Sequence, residues 1–508
     1  MNIAYLLFNS TNNYPDKTAI IAEDKRISYR AFNERVNRLA HAMTQYGLKK
    51  GDRVALMFFN THHFAEVYFA TIKAGAVLTP VNFRFLGEEI EYIVNNSESN
   101  FFFFAKEFQE TITTVYQRLG NIEYFIGVDA EKGNWAHDYE TFLCSGESKE
   151  PEIEVGENDP CQIMYTSGTT GKPKGVVITH GNIVWNLMNT ILGREHRPGE
   201  VSLIIGPLYH VAALNNHFAV QVALGGTSIL IKKFDPEIVL RYIEKERVNV
   251  ISGTPAMFNI LLQYSRLDQF DTRSITKCTT GAAILPQEIK ERLIKAFPMA
   301  KGVYDLYGCT ESSPTITILN ARNSFRKNGS IGLPAPFLQA RVVDEEGTPL
   351  PPNQAGELVC RGPNVMQGYY EEPEATKEAI KDGWLYTGDL AKIDEEGYFY
   401  IVDRKKDVII SGGENIYPRE IEEVLFRHPA IADVAVVGIP DQVWGETVKA
   451  FVVLKEGNMI NEQEVISFCK RHLASYKKPK VIEFVDSIPR NPSGKALKQV
   501  LRTQKLER

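Results

Sequence analysis

At 508 residues the chain is too long for a single hydrophobic core, so two or more domains are expected. Its 44% hydrophobic and 24% charged residues exclude a disordered or fibrous protein. A formal net charge of −6 over this length argues against a general nucleic-acid binder, although the stretch 471–508 is locally basic.

The opening residues MNIAYLLFNSTNN have no basic n-region and too short an apolar run for a signal peptide. No stretch approaches the roughly 18 apolar residues of a membrane span. The six cysteines are widely scattered with no CxxC pair, so neither a zinc site nor a disulfide scaffold is indicated, and a reducing compartment fits. A cytoplasmic protein is expected; peripheral membrane contact and a homodimer are both compatible with it. Ser28 reads as an N-cap, with apolar residues following at Phe32, Val36, Leu39, Ala40 and Met43 and Gly47 as a stop. Next come the run Val54–Phe58, a helix over His63–Lys73 and the run Ala76–Leu78. Helical Glu88–Val94 and apolar Phe101–Phe104 complete a second cycle. Alternation of this kind predicts a parallel, doubly wound sheet covered on both faces. It recurs over about 207–307, which predicts a second α/β subdomain. From about 329 to 400, short extended runs such as Ala340–Val343 and Glu357–Cys360 predict a small β-unit. After the charged segment Asp403-Arg-Lys-Lys-Asp407, a small α+β domain is predicted. Its elements are a helix over Pro418–Arg427, strands over Val434–Ile439 and Val448–Leu454, a helix over Glu462–His472 and a strand over Val481–Val485.

The strongest local signal is Tyr165-Thr-Ser-Gly-Thr-Thr-Gly-Lys-Pro-Lys-Gly175. Gly168, Gly171 and Gly175 let backbone N–H groups converge on an anion. Thr166, Ser167, Thr169 and Thr170 add hydroxyls, and Lys172 and Lys174 add positive charge. A Walker A loop is excluded, because Thr166 stands where its first glycine belongs and Pro173 where its Ser/Thr belongs.

With this loop, the motifs Pro207-Leu-Tyr-His210, Thr280-Gly-Ala-Ala283, Asp305-Leu-Tyr-Gly-Cys-Thr-Glu311, Tyr386-Thr-Gly-Asp389, Asp403–Asp407, Ser411-Gly-Gly413 and Asn491-Pro-Ser-Gly-Lys495 occur in one order along essentially the whole chain. In that set the chain resembles the adenylate-forming superfamily of acyl-CoA synthetases, insect luciferases and non-ribosomal adenylation domains. The resemblance implies a large N-terminal domain over 1–402, made of two doubly wound α/β subdomains and a small β-barrel from about 329. A small mobile α+β domain over 403–508 would follow. It also implies an ATP- and Mg2+-dependent acid:CoA ligase with coenzyme A as co-substrate. Such an enzyme forms an acyl-adenylate with release of pyrophosphate, and then the thioester.

Attack of a carboxylate on the α-phosphorus of ATP brings two anions together, so the chemistry needs a metal and fixed cations rather than a base. The resemblance puts Lys495 between the carboxylate and the α-phosphate. Glu311, assisted by Thr166, would hold Mg2+, a hard ion suited to oxygen donors. Tyr307 would stack on adenine, with Asp305, the Gly281-Ala282-Ala283 backbone, Gly308 and Thr310 around it. Asp389 would take the ribose hydroxyls, with Arg404 nearby, and Asp403 would be the interdomain hinge. Lys405, Lys406, Ser411, Gly412 and Gly413 would receive coenzyme A.

The resemblance places the acid pocket around Tyr209–His217, Thr254–Met257, Gly281–Ala283 and Cys309–Pro314, with His210 as gate or orienting residue. Its lining would be Val211, Ala212, Ala213, Phe218, Val220, Ala282, Ala283 and Ile284. No Arg or Lys stands among these residues to pair with a second carboxylate. Small apolar residues suit a medium- or long-chain fatty acid, with an aryl or alicyclic acid as the alternative. The rivals are an adenylation enzyme that loads a carrier protein, a luciferase-like oxygenase and a nucleotide-binding protein without turnover.

Overall fold

A computed structural model describes residues 2–130, 135–166, 172–281, 283–411, 414–490 and 496–503. The chain forms two compact units: residues 1–340 with 360–386, and residues 341–359 with 387–508. No helix among the described residues is long and apolar enough to cross a membrane.

The first unit holds two sheets. In the eight-stranded one, the run of four phenylalanines falls in the strand Ser99–Ala105, next to Arg53–Met57, which is flanked in turn by Val77–Pro80. All three strands run parallel. Phe101 to Phe104 are almost wholly buried although their side chains alternate between faces, because a parallel sheet is covered on both. The helices around it begin and end where local chemistry dictates. Tyr29–Gln45 starts at Ser28, whose Oγ accepts from the Ala31 amide at 3.2 Å, a cap contributing about 1 kcal/mol. It is followed by Gly47 at φ +98°, where a glycine relieves strain.

The nine-stranded sheet is built largely from the chain beyond residue 200. Its consecutive parallel strands include Thr227–Leu230, Val201–Ile204, Val250–Ser252, Lys277–Gly281 and Val303–Tyr307. The early strand Thr18–Ala22, which local patterning did not reveal, joins it by pairing with Thr227–Leu230. Alternate residues divide between two cores. Ile21, Leu203, Ile229, Ile251, Cys278 and Val303 pack outward against helices such as Pro236–Glu246, while Ile20, Ile204 and Leu230 face the other way. On this second face the neighbouring positions Ser252, Thr279 and Lys277 are polar and buried.

In the second unit, a five-stranded sheet carries the helices Pro418–Phe426 and Glu462–His472. Its long hairpin pairs Ile431–Asp441 with Gly445–Leu454, and Val481–Phe484 runs parallel to the latter. A further five-stranded sheet includes the antiparallel pair Trp384–Ile393 and Phe399–Arg404. The fold class is the one expected. The helices and strands of the 403–508 segment lie within a few residues of their predicted bounds.

Candidate active site

Open α/β sheets offer a crevice at the carboxyl ends of their parallel strands. Here Val250–Ser252, Lys277–Gly281 and Val303–Tyr307 end together, with Gly281 opposite Leu306. Gly281, Tyr307, Gly308, Thr310 and Glu311 are partly exposed there and Ala283 is exposed, whereas Asp305 is buried within its strand. Ala282 lies outside the described residues. Two glycines are required by close approach: a methyl group at Gly281 would meet the Leu306 carbonyl oxygen at 2.9 Å, and one at Gly308 would meet that of Pro314 at 1.6 Å. The loop beyond Gly308 is fastened by the Ile316 amide, which donates to the Tyr307 carbonyl at 2.9 Å. Asn364 Nδ2 also donates to the Ser312 and Thr315 carbonyls at 2.7 and 2.8 Å.

Thr166 and Lys174 are cross-strand partners at the adjoining ends of Pro160–Thr166 and Lys174–Thr179. Ser167, Gly168, Thr169, Thr170 and Gly171 lie outside the described residues. The flanking lysines rest beside aromatic rings, Lys172 Nζ 5.4 Å from the centroid of Tyr92 and Lys174 Nζ 5.1 Å from that of Tyr369. The short strand Gly368–Tyr369 pairs with Lys174–Thr179, and the Tyr370 amide donates to the Gly175 carbonyl at 2.7 Å. Tyr369 Oη in turn donates to Glu311 Oε1 at 2.9 Å, so one tyrosine links the lysine strand to the carboxylate expected to hold a metal. Burial, reinforced by the Glu311 charge, pushes the Tyr369 hydroxyl up and keeps it a donor.

His210 is half-buried, with its ring 4.5 Å from that of Tyr209. It precedes a π-helix, Ala212–Phe218, a geometry that recurs at functional sites and brings residues five apart to one face. Ala212 is exposed and His217, five residues on, keeps partial exposure. Phe218 and Val220, two of the expected lining positions, are fully buried in the core. Buried polar and basic side chains also stand beside the π-helix. Arg194, 1% exposed, donates from Nη1 to the Asn216 carbonyl (3.3 Å) and from Nη2 to Thr279 Oγ1 (2.6 Å) and Ser252 Oγ (3.4 Å). Lys277 donates to Glu200 Oε1 at 2.9 Å. Arg194 lies sixteen positions before His210, beyond the segments read as lining, and only the tertiary fold brings it back.

In the second unit, Asp389 and Arg404 are cross-strand partners joined by an ion pair, Nε to Oδ1 at 2.7 Å. Asp403 is buried, and its carboxylate accepts from the Arg404 and Arg419 amides at 2.7 and 2.8 Å, the latter in the first turn of Pro418–Phe426. A carboxylate there complements the helix dipole. Lys405 pairs with Glu357 at 2.8 Å, Lys406 is exposed, and Ser411 closes the strand Ile409–Ser411 opposite Glu414. Gly412, Gly413 and Lys495 lie outside the described residues.

The profile of the AMP-binding enzyme family matches residues 7–370, and that of the AMP-binding enzyme C-terminal domain matches 420–495. Feruloyl-CoA synthase from Amycolatopsis sp is 37% identical over 489 residues, covering 96% of each chain. Long-chain-fatty-acid–CoA ligase from Bacillus subtilis (strain 168) is 36% identical over 532 residues, covering 99% of this chain and 94% of the relative. Among solved structures, ATP-bound MatB from Rhodopseudomonas palustris superposes with a TM-score of 0.90 at 32% identity, covering 99% of this chain and 98% of that one. The chain therefore belongs to the AMP-binding enzyme family. It is an AMP-forming acyl-CoA synthetase, with ATP and coenzyme A as co-substrates.

Proposed function

We propose that this synthetase activates a compact aryl or alicyclic acid, the alternative drawn from the sequence, in preference to a long-chain fatty acid. The relatives' names point both ways, to feruloyl and to long-chain acids. The observation that carries the choice is the polar sheet face at Ser252, Thr279 and Arg194, adjoining the π-helix where the acid is expected. Gly281 is two residues beyond Thr279 on the same strand, about 7 Å at the rise of an extended chain. That depth accommodates a ring, whereas a long alkyl chain would meet buried polar groups at a cost of about 1–3 kcal/mol each.

The chemistry is assigned to residues as follows. Lys172 and Lys174 neutralise phosphate charge. Glu311, with Thr166, would hold Mg2+, which favours oxygen donors and keeps several waters, so a single carboxylate beside the nucleotide phosphates is a sufficient protein contribution. This fits the described residues, among which no cluster of three metal-ligating side chains occurs. The ion would supply charge stabilisation to the phosphates when bound. Tyr369 holds the Glu311 carboxylate in one orientation. Tyr307 offers its ring to adenine, while the close-packed glycines at 281 and 308 let the backbone approach the nucleotide. Asp389 would accept from the ribose hydroxyls, with Arg404 beside it. Lys495 would bridge the acid's carboxylate and the α-phosphate, drawing them together as pyrophosphate leaves. Movement about Asp403 would then present Lys405, Lys406 and the 411–413 segment to coenzyme A for attack of its thiolate on the acyl carbonyl and release of AMP.

Incubating the purified protein with ATP, Mg2+, coenzyme A and a panel of aryl, alicyclic and fatty acids tests the reading. Aryl or alicyclic thioesters should dominate the products. Turnover confined to long-chain acids would overturn the substrate assignment.

A further inference from the structure

The buried charge beside the π-helix does not balance. Arg194 is 1% exposed, yet no carboxylate among the described residues lies within ion-pair distance of it. The nearby carboxylate of Glu200 is engaged by Lys277 at 2.9 Å and by His196 at 2.6 Å. Among the described residues Arg194 donates only to the three neutral oxygens given above, and its buried Nε has no hydrogen-bond partner. A buried guanidinium with neutral acceptors and an idle donor is an expensive arrangement, and charged groups in protein interiors are ordinarily paired. Burial lowers the Arg194 pKa to about 10, which still leaves it charged at neutral pH.

A second ionisable side chain stands on the π-helix beside Arg194. His217 keeps accessible surface and makes no hydrogen bond to a described residue, yet burial pushes its pKa well below the ordinary histidine range, with Arg194 and His196 adding repulsion. His217 lies on the same π-helix as exposed Ala212 and next to Asn216, whose carbonyl accepts from Arg194 at 3.3 Å. At neutral pH the uncharged imidazole there neither competes for an anion nor supplies one.

Resting on the compact-acid reading, we propose that Arg194 is a specificity residue: its guanidinium receives an oxygen acceptor, hydroxyl or carboxylate, at the end of the acid remote from the reacting carboxylate, with His217 as the neutral wall beside it. The separation of about 7 Å between Thr279 and Gly281 matches the span of a para-substituted ring. Sites built to hydrogen-bond a substrate oxygen discriminate strongly against the analogue lacking it, because the buried donor is then left unpaired.

The test is kcat/KM for adenylation of matched ring acids that carry hydrogen, hydroxyl or carboxylate at the para position, by wild type, Arg194→Met and Arg194→Lys. Wild type should favour an oxygen-bearing acid over the unsubstituted one about ten- to a hundredfold, as expected for hydrogen bonds to a charged group. Arg194→Met should bring that ratio close to one. Arg194→Lys should retain part of the preference. Whether hydroxyl or carboxylate is preferred names the oxygen. A wild-type preference below twofold would refute the assignment even if no variant folds. So would an Arg194→Met protein with a native circular dichroism spectrum that loses all acids equally, since that is a structural role. Wild type that adenylates fatty acids but none of the ring acids would instead overturn the compact-acid reading itself.

Discussion

Substituting Gly308 by Ala probes how tightly the crevice is built. The added methyl carbon would stand 1.6 Å from the Pro314 carbonyl oxygen, 2.7 Å from its carbonyl carbon and 3.1 Å from the Ile316 amide nitrogen, all backbone atoms. Real contacts of this kind do not fall below 3.0 Å, so one side of the loop must retreat by about 1.4 Å, the difference between those two distances. It cannot do so freely, because the Ile316 amide and Asn364 tie it on both flanks. The displacement therefore reaches Tyr307 and the Thr310–Ser312 turn that carries Glu311. Misplacement of about 1 Å costs on the order of a hundredfold in rate, and overpacking costs about 1–3 kcal/mol of stability. Gly308→Ala should thus lose about a hundredfold or more in kcat/KM for acid adenylation, with a melting temperature only a few degrees lower. Gly120→Ala is the control, for a methyl group there meets nothing within 4 Å. A Gly308→Ala enzyme of undiminished activity would show that the crevice is not where the reacting groups are aligned.

Three further outcomes follow from the same geometry. Glu66 is fully buried, its oxygens accepting from Arg35 at 2.7 and 3.0 Å and from Tyr139 at 2.7 Å. Glu66→Ala should destabilise the first unit by about 1–3 kcal/mol in urea titration while Glu66→Gln loses less, because Tyr139 and one side of Arg35 lose their acceptor although Arg35 keeps Glu140 at 2.6 Å. His180 and His196 are buried, and burial lowers each to about 4 from an ordinary value of 6.5. Between those values the unfolded chain binds protons that the folded chain does not, so stability falls as pH falls, by about 1.4 kcal/mol per unit for each histidine. Melting from pH 7 to 5 should show this slope, and His196→Asn should flatten it by about one proton; an unchanged slope would refute the assignment. Tyr369→Phe removes a hydrogen bond to a carboxylate, a contact of about 1.5–3 kcal/mol. It should change the Mg2+ concentration needed for half-maximal ATP binding while leaving far-ultraviolet circular dichroism untouched, and an unaltered Mg2+ requirement would detach Tyr369 from the metal site.

What could be read along the chain was what is local. The cap at Ser28, the Phe101–Phe104 run and the helix Glu462–His472 each carry their periodicity within a few residues, and each stands where the pattern puts it. The motifs that carry the family resemblance are likewise contiguous stretches. Contacts closed by tertiary folding were not readable. Thr18–Ala22 finds its partner strand more than two hundred residues away. Tyr369 reaches Glu311 across 58 residues because Gly368–Tyr369 is drafted onto the edge of another sheet. Arg194 is the C-cap of His180–Gly193, and nothing in its sequence neighbours signals that it is buried against Ser252 and Thr279. Phe218 and Val220, two of the eight residues expected to line the acid pocket, are wholly buried, and apolar character marks burial, not which buried residues face a ligand.

Acid-dependent exchange of labelled pyrophosphate into ATP, run without coenzyme A, tests the central claim most directly. Adenylation in this account needs only ATP, the metal, the acid and Lys495, so exchange should appear when a compact acid is supplied and fall to background in Lys495→Ala. Exchange that ignores the acid, or that survives Lys495→Ala undiminished, would contradict it.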